Sequence, residues 1–500
     1  MSEIGVASAV LRSSYHDSVS LMRVAARLSA RAGVTASLMM GTPANKDLLR
    51  DAGLLDTEAD GAGPNDLVIA VSGPVDNLAG LLAEAAAHLE EQAPPDRGAA
   101  GPDEPRTLFQ AVRSDPGLNL ALISVPGRYA AAEALKALRL GLHVFMFSDN
   151  VDIASEVMLK EEATRQGCIM MGPDCGTALL GGVPLGFVNE MHRGSIGLVG
   201  ASGTGLQQVG CLIDRAGGGV SQVIGVGSRD LSAEVIGRST RAALEALGAD
   251  PQTEVIVLVC KPPEPAVAAG VLQVAAGLGK PVVATFLGAS VEGPPGVAIA
   301  ACLDDAAMLA LESVGFGGRF PAQPTPAVPT LEAGRGRFVR CLYSGGSFAY
   351  EARQMLSGLP GGVRSHLALP TGEDRPVLPS CHLVADLGDD IFTVGRPHPM
   401  IDSTVRVQCL RAALADPSTA LVVLDVVLGH GSAPDPAGPL VEVLEEAGER
   451  PPVVGFVCGT EGDPQALATQ EAALEKAGVL LARSSSVAAR MARTMLERLP

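Results

Sequence analysis

Tryptophan is missing from all 500 residues, and aromatic side chains of every kind make up 3%. An aromatic-lined recognition module is therefore excluded, and the interior must be filled by aliphatic residues. No apolar run reaches eighteen residues, and the opening MSEIGVASAVLRSSYHDSVSLMRVAARLSARAG has neither a long apolar core nor a cleavage-like pattern. Neither a membrane span nor a signal peptide is expected. No run of Lys and Arg offsets the net charge of −18. A nucleic-acid partner is excluded on that ground, because a phosphate backbone would be repelled. The nine cysteines form no C-x-x-C pair and no Cys/His spacing that would hold zinc, and their odd number leaves one unpaired under any disulfide scheme. Reduced thiols in a cytoplasm, with no metal site, are the expectation.

What is present points to α/β architecture. Hydrophobic residues reach 47%, and 59 glycines provide many tight turns. The length exceeds what one core holds, so at least three domains are expected. Two stretches are too rich in Pro, Gly and charge for a core: QAPPDRGAAGPDEPR, read as a flexible loop over 92–106, and RFPAQPTPAVPTLEAGRGR, read as a semi-rigid linker over 318–337. They delimit an N-terminal α/β region over 1–115, a Rossmann-like region over 116–193, a first flavodoxin-like domain over 194–317 and a second over 338–500. In the region 116–193, strands such as LALISVP, HVFMFS and CIMMGP alternate with amphipathic helices, the pattern of a parallel sheet.

A repeat lies behind the last two domains. IGLVGASGTGLQQVGCLIDRAGGG, DPQTEVIVLVCKPPE and GKPVVATFLGAS are followed past the linker by VRCLYSGGSFAYEARQMLSGLPGG, DPSTALVVLDVVLGHG and RPPVVGFVCGTE. Strand, glycine-serine turn, helix, DPxT loop and two apolar strands recur in the same order, so one domain occurs twice.

Chemistry is sought where this repeat places polar groups. In VGASGTGLQQ, Gly200, Gly203 and Gly205 would let the chain turn and approach a ligand, while Ser202, Gly203, Thr204 and the first helical amides would offer donors to an anion. No Lys follows the glycines, so the turn is not a P-loop, and it is not the dinucleotide G-x-G-x-x-G. A tight turn without a ligand is the competing reading. In the second copy Ser344, Gly345, Gly346 and Ser347 stand at the equivalent turn, which favours an anion. Lys261, Gly429, His430, Gly431 and Ser432 follow apolar strands of a parallel sheet, where ligands bind; a solvated lysine and a turn histidine are the alternatives. GDDIFTVGRPHPMID holds Arg396 and His398, with stiffening prolines on either side of His398, either for catalysis or as a rigid structural loop. His88 and His143 are read as structural.

Several of these strings carry a resemblance. LALISVPGRYAAAEALKALRLGLHVFMFS, IMMGPDCGT, SIGLVGASGTG and KPVVATFLGAS are similar to the α subunit of succinyl-CoA synthetase. The second repeat is more distantly similar to the C-terminal domain of that enzyme's β subunit. DSVSLM, MMGTPANKDLL, GPNDLVIAV, IDRAGGGVSQVIGVGSRDLS and GRPHPMID resemble FdrA proteins over essentially the whole chain. The synthetase resemblance implies a phosphohistidine relay between two helix N-termini, yet VEGPPGVAIAACLDD, where the histidine would fall, contains none. The glycine-rich CoA loop has no counterpart before ISVPGRY, Lys261 stands where the ligases carry an acidic residue, and the ATP-grasp domain is missing. The FdrA resemblance implies a subunit of oxamate carbamoyltransferase in allantoin and purine catabolism, exchanging carbamoyl between oxalurate and phosphate. Phosphate or carbamoyl phosphate would be held by Ser202, Gly203, Thr204, Lys261, Ser344, Gly345 and Gly431, with Arg396 as a second clamp and His398 or His430 as general base. No cofactor is required on this view, and CoA is only a secondary candidate. Partners would be small anionic substrates and other subunits of a hetero-oligomer, with self-association as a further option. An NDP-forming acyl-CoA ligase component, with His398 or His430 as the phosphorylated residue, is the alternative. A non-catalytic assembly or regulatory subunit is the third.

Overall fold

The computed structural model describes residues 4–14, 16, 18–29, 31, 33–92, 105–316, 328–331, 336–365, 367, 376–393 and 397–499. Most of the proposed loop over 92–106 and of the linker over 318–337 lies outside the described residues, as does Arg396. The chain divides into two compact units, one gathering Met1–Gln110 and Asp390–Asp402, the other Ala111–Pro370, Asp374–Asp389 and Ser403–Pro500.

In the first unit the strand Leu67–Pro74 lies between Ile4–Leu11 and Thr35–Met40 in an antiparallel sheet. The run LVIAV is buried throughout because both of its faces are covered. Leu67, Ile69 and Val71 pack with Leu21, Leu28 and Leu81. The alternate Val68 and Ala70 pack with Leu49, Leu54 and Ala59. Thr42 starts the helix Pro43–Asp51 by accepting from Asn45 N, with proline at the first helical position.

The second unit holds the parallel architecture. A three-stranded parallel sheet, Leu120–Ile123, His143–Met146 and Met170–Met171, comes first. His143 is structural there: its Nδ1 accepts from Ile169 N, and burial lowers its pKa. Next comes a seven-stranded sheet. Its parallel core runs Val220–Gly225, Arg193–Gly200, Val255–Cys260, Val282–Phe286, Val297–Ile299, and a hairpin of Thr177–Leu180 and Val183–Gly186 extends one edge. A six-stranded parallel sheet repeats the same order with His382–Asp386, Phe338–Tyr343, Thr419–Val427, Val453–Cys458 and Val479–Ala482, plus the short edge strand Val363–Arg364. Both cores follow the 2-1-3-4-5 flavodoxin order, and both reverse between the first and third strands.

The two repeats share an extensive polar seam. The helix Gly203–Arg215 is buried from Gly205 through Ile213, which a helix with one solvent face cannot be. At its end Arg215 donates to Val457 O and Gly459 O of the second repeat at 2.9 and 2.8 Å. Asn189 donates to Leu428 O and Asp463, and Asp463 also accepts from Glu190 N. A buried charge cluster ties the region 116–193 to the first repeat. The Lys160 ammonium, fully buried, donates to Val226 O and pairs with Asp230 at 2.7 Å and Glu156 at 2.9 Å.

Candidate active site at two facing corners

The corner Ala201–Thr204 follows the strand Arg193–Gly200, and the corner Ser344–Ser347 follows Phe338–Tyr343, so each sits at the point where its sheet order reverses. Crevices form there because neighbouring connections leave in opposite directions. The two corners meet. Ser202 Oγ and Ser347 Oγ share a hydrogen bond of 2.6 Å, and Gly205 N donates to Ser347 Oγ at 3.1 Å. The helices Gly203–Arg215 and Gly346–Leu356 thus start at one place, with the positive ends of both dipoles directed to it.

The glycines serve close packing. None of Gly200, Gly203 and Gly205 has a positive φ. A Cβ on Gly200 would lie 1.9 Å from Val259 O, one on Gly205 2.3 Å from Ser202 Oγ, and one on Gly345 2.9 Å from Thr204 Cγ2. Side chains at these positions would push the strand, the helix or the corners apart.

Ser344 and Gly345 need a correction as anion ligands. Ser344 N, Ser344 Oγ and Gly345 N all donate to the buried carboxylate of Asp425, which also pairs with Arg406 at 2.8 Å. Those donors are spent within the chain. The accessible rim of the junction is instead made by Gly203, Thr204, Gly346 and Lys261. A Cβ on Gly346 would stand 2.3 Å from Asp386 Oδ2 and 3.3 Å from Lys261 Nζ, so a carboxyl and an ammonium converge on the first turn of that helix. Burial pushes the Asp386 carboxyl up to about 6, against the lowering pull of Lys261 and of the hydrogen bond from Gly388 N. Cys260, just before Lys261, is fully buried with its thiol pushed up to about 12, which rules it out as a nucleophile.

The other residues singled out in the sequence have contacts of their own. His430 follows Thr419–Val427 and pairs through Nε2 with Glu190 Oε1 at 2.5 Å, while its backbone N donates to Val188 O. Gly431, with φ +81, packs on Phe187, where a Cβ would meet the ring at 2.8 Å; this close approach explains the glycine without an anion. His398 belongs to the first unit, and its Nδ1 accepts from Met400 N at 3.2 Å. Ser347 was read at the second turn, whereas Asp386, Asp425 and Glu190 were not picked out as site residues in the sequence. Asp425 had a signal, a lone carboxylate inside the apolar run LVVLDVVL; Asp386 had none beyond its place at the end of a strand.

Comparison with known proteins agrees with this architecture. A CoA-ligase family model matches residues 342–495, a CoA binding domain model matches 191–288, and a model described as AllF, heavy metal-associated domain, matches 4–105. The CoA binding match falls on the first repeat. The chain is 40% identical to YahF of Escherichia coli (strain K12) over 96% of its own length and 97% of that protein. It is 30% identical to the mitochondrial alpha-2 subunit of the ADP-forming succinate–CoA ligase of Trichomonas vaginalis, over 36% of this chain and 58% of that one. It is 26% identical to SauD, an ADP-forming sulfoacetate-CoA ligase subunit of Bilophila wadsworthia, over 30% of this chain and 54% of that one. A solved structure, the dinucleotide forming acetyl-coenzyme A synthetase 1 of Ca. Korarchaeum cryptofilum, covers 76% of this chain and 82% of its own at 16% identity and a TM-score of 0.32.

One ligand suggested by these family descriptions, a heavy metal, fails a test against the described residues. Residues 4–105 contain no cysteine, and among the described residues no group of three or more His, Cys, Asp or Glu could hold a metal ion, so a heavy-metal site has no ligands there. At the glycine corner the backbone of Gly200 packs against Val259 and that of Gly205 against Ser202. Among the described residues no helix is long and apolar enough to cross a membrane. With its full-length match to YahF, its repeated parallel domains and its CoA-ligase segment, the chain belongs to the FdrA family, relatives of the α subunits of NDP-forming acyl-CoA synthetases.

Proposed function

We propose that this chain is a carbamoyl-transferring subunit, exchanging carbamoyl between oxalurate and phosphate. The observation that carries the proposal is the contact between the two corners, Ser202 Oγ to Ser347 Oγ at 2.6 Å, with Lys261 beside them. Two helix termini and an ammonium form a site for a doubly charged oxyanion, and preorganised donors of this kind stabilise developing charge without reorganising. No histidine lies between Leu287 and Leu303, so a phosphoryl relay at the usual place is not supported, whereas transfer to phosphate itself needs none. In that reaction a phosphate oxygen bonds to the ureido carbonyl carbon and the carbon–nitrogen bond to oxamate breaks. The leaving nitrogen takes the proton brought by the phosphate. Phosphate or carbamoyl phosphate is the ligand, other subunits complete a cytoplasmic hetero-oligomer, and self-association is a further option.

Incubation of the purified complex with oxalurate and phosphate should release carbamoyl phosphate. A complex with every partner subunit present that forms none overturns the proposal. Lys261→Met should lower the rate at least about a hundredfold, the scale of one lost oxyanion partner.

A second reading, an acyl-CoA ligase component, is favoured by the CoA-ligase match over 342–495 and by the pairing of His430 with Glu190. A carboxylate on one imidazole nitrogen orients the ring and leaves the other nitrogen for phosphoryl transfer. Acid-labile, base-stable phosphate on the wild type that is lost in His430→Ala would establish that reading over the first.

A further inference from the structure

Beyond the corners, one cluster gathers two cations around a single ring. Tyr350 lies one turn into the helix Gly346–Leu356, and two cations approach its ring: Lys261 Nζ at 5.6 Å and Arg353 Cζ at 4.3 Å from the centroid. The ring is held from the far side by the loop after Val282–Phe286. A Cβ on Gly288 would lie 3.8 Å from Tyr350 Cδ1, and Gly288 N donates to Gln354 Oε1 at 3.1 Å. Lys261 has Asp386 near it; among the described residues Arg353 has no carboxylate within ion-pair distance. Nearby, Arg406 pairs with Asp425, Arg490 donates to Ser486 and Arg493 pairs with Glu497.

Two like charges on one ring repel unless an anion joins them, and stacking on tyrosine orients the guanidinium so that its fork of donors points outward. Planar, bidentate recognition of a carboxylate is what such a fork does best. A phosphate at the corner would reach Lys261 on one side, leaving Arg353, about two helical turns beyond Gly346, for the carboxylate of the second reactant.

We propose that Tyr350 and Arg353, next to Lys261, form a carboxylate subsite that holds the oxamate moiety, the group that leaves when carbamoyl passes to phosphate. This rests on the anion site proposed above and assigns the residues that hold the carboxylate of oxalurate or oxamate there. Arg353 serves here as a clamp in addition to the one the sequence offered in Arg396, which lies outside the described residues. Lys261 is shared between the two anionic groups, and Tyr350 is a positioning residue acting through Arg353.

The test is equilibrium binding to the full chain, read as the thermal shift caused by oxamate, by its neutral ethyl ester and by inorganic phosphate. Oxamate should stabilise the wild type, and the ester should bind at least about tenfold more weakly, the scale of one charge-assisted pair. Arg353→Met should weaken oxamate by a similar factor while phosphate affinity stays within about twofold; Arg353→Lys should recover only part of the loss, because the bidentate fork is gone. Tyr350→Leu should weaken oxamate with phosphate unchanged. Equal affinity of wild type and Arg353→Met for oxamate, equal binding of acid and ester, or no oxamate binding at all overturns the proposal. Oxamate bound through Arg353 by a complex that makes no carbamoyl phosphate would refute the proposed activity and keep the subsite. Carbamoyl phosphate made with an unchanged oxalurate KM in Arg353→Met would do the reverse.

Discussion

At the scale of single residues, the glycines of VGASGTG separate by what stands next to them. Gly200 lies on the backbone of a neighbouring strand, so Gly200→Ala should destabilise the chain by about 3 kcal/mol in urea unfolding, the cost of overpacking a rigid core. Gly203 is exposed, and its Cβ would meet only Thr177 Oγ1 at 3.1 Å; Gly203→Ala should cost under about 1 kcal/mol. Asp386 sets a pH dependence. Its carboxyl is raised to about 6 mainly by burial, so it is largely ionised above that pH and then repels an anion at the corner. Sulfate, which does not titrate in this range, should therefore bind more weakly as pH rises through about 6, and Asp386→Asn should bind it with little pH dependence. An unchanged slope in the variant would remove Asp386 from the site.

Among elements, the helix Gly346–Leu356 does two jobs. Its first turn faces the anion corner, while one turn on, Glu351 points into the protein, accepting from Leu303 N at 2.9 Å and from Ser485 Oγ. Those donors open the helices Leu303–Ser313 and Ser485–Glu497, so one carboxylate caps the first helix through a backbone amide and ties down the start of the second through a hydroxyl. Burial, with Asp304 adding repulsion, raises Glu351 to about 7. A carboxyl raised on folding favours the folded state below its unfolded pKa, and that contribution is lost as pH climbs through the folded value. The chain should therefore lose stability between about pH 5 and pH 8, and Glu351→Gln should flatten that slope in thermal melts. The helix Ile153–Gln166 carries the complementary case, a lysine rather than a carboxylate at full burial. Lys160→Met would strand Asp230 and Glu156 without their shared cation, and a loss of about 3–5 kcal/mol is expected in denaturant unfolding.

At the scale of the whole molecule, the two repeats form one body within the second unit. Its seam can be measured with a double-mutant cycle of Ser202→Ala and Ser347→Ala. A coupling of about 1 kcal/mol is expected for one hydrogen bond between buried hydroxyls, and additive effects would show that the corners do not touch in solution. The α/β class, the duplication and both corners were legible in the linear chain. Apolar runs of strand length between glycine turns, and the order in which DPxT and PPVV recur, are local properties that near neighbours in sequence impose. What stands opposite each corner was not legible. Asp425 reaches Ser344 across 81 positions, and Ser347 reaches Ser202 across 145. Asp386 comes beside the second corner because its strand pairs with Phe338–Tyr343 in register with Tyr343. His398, plausible as a catalyst from its stiff loop, belongs to the other compact unit. Composition and periodicity thus determined which segments become strands, helices and turns, since those depend on backbone preference and the burial of one face. Only the tertiary structure decided which donors remain available to a ligand, because a hydrogen bond or a buried charge is settled by the atom that arrives from a distant part of the chain.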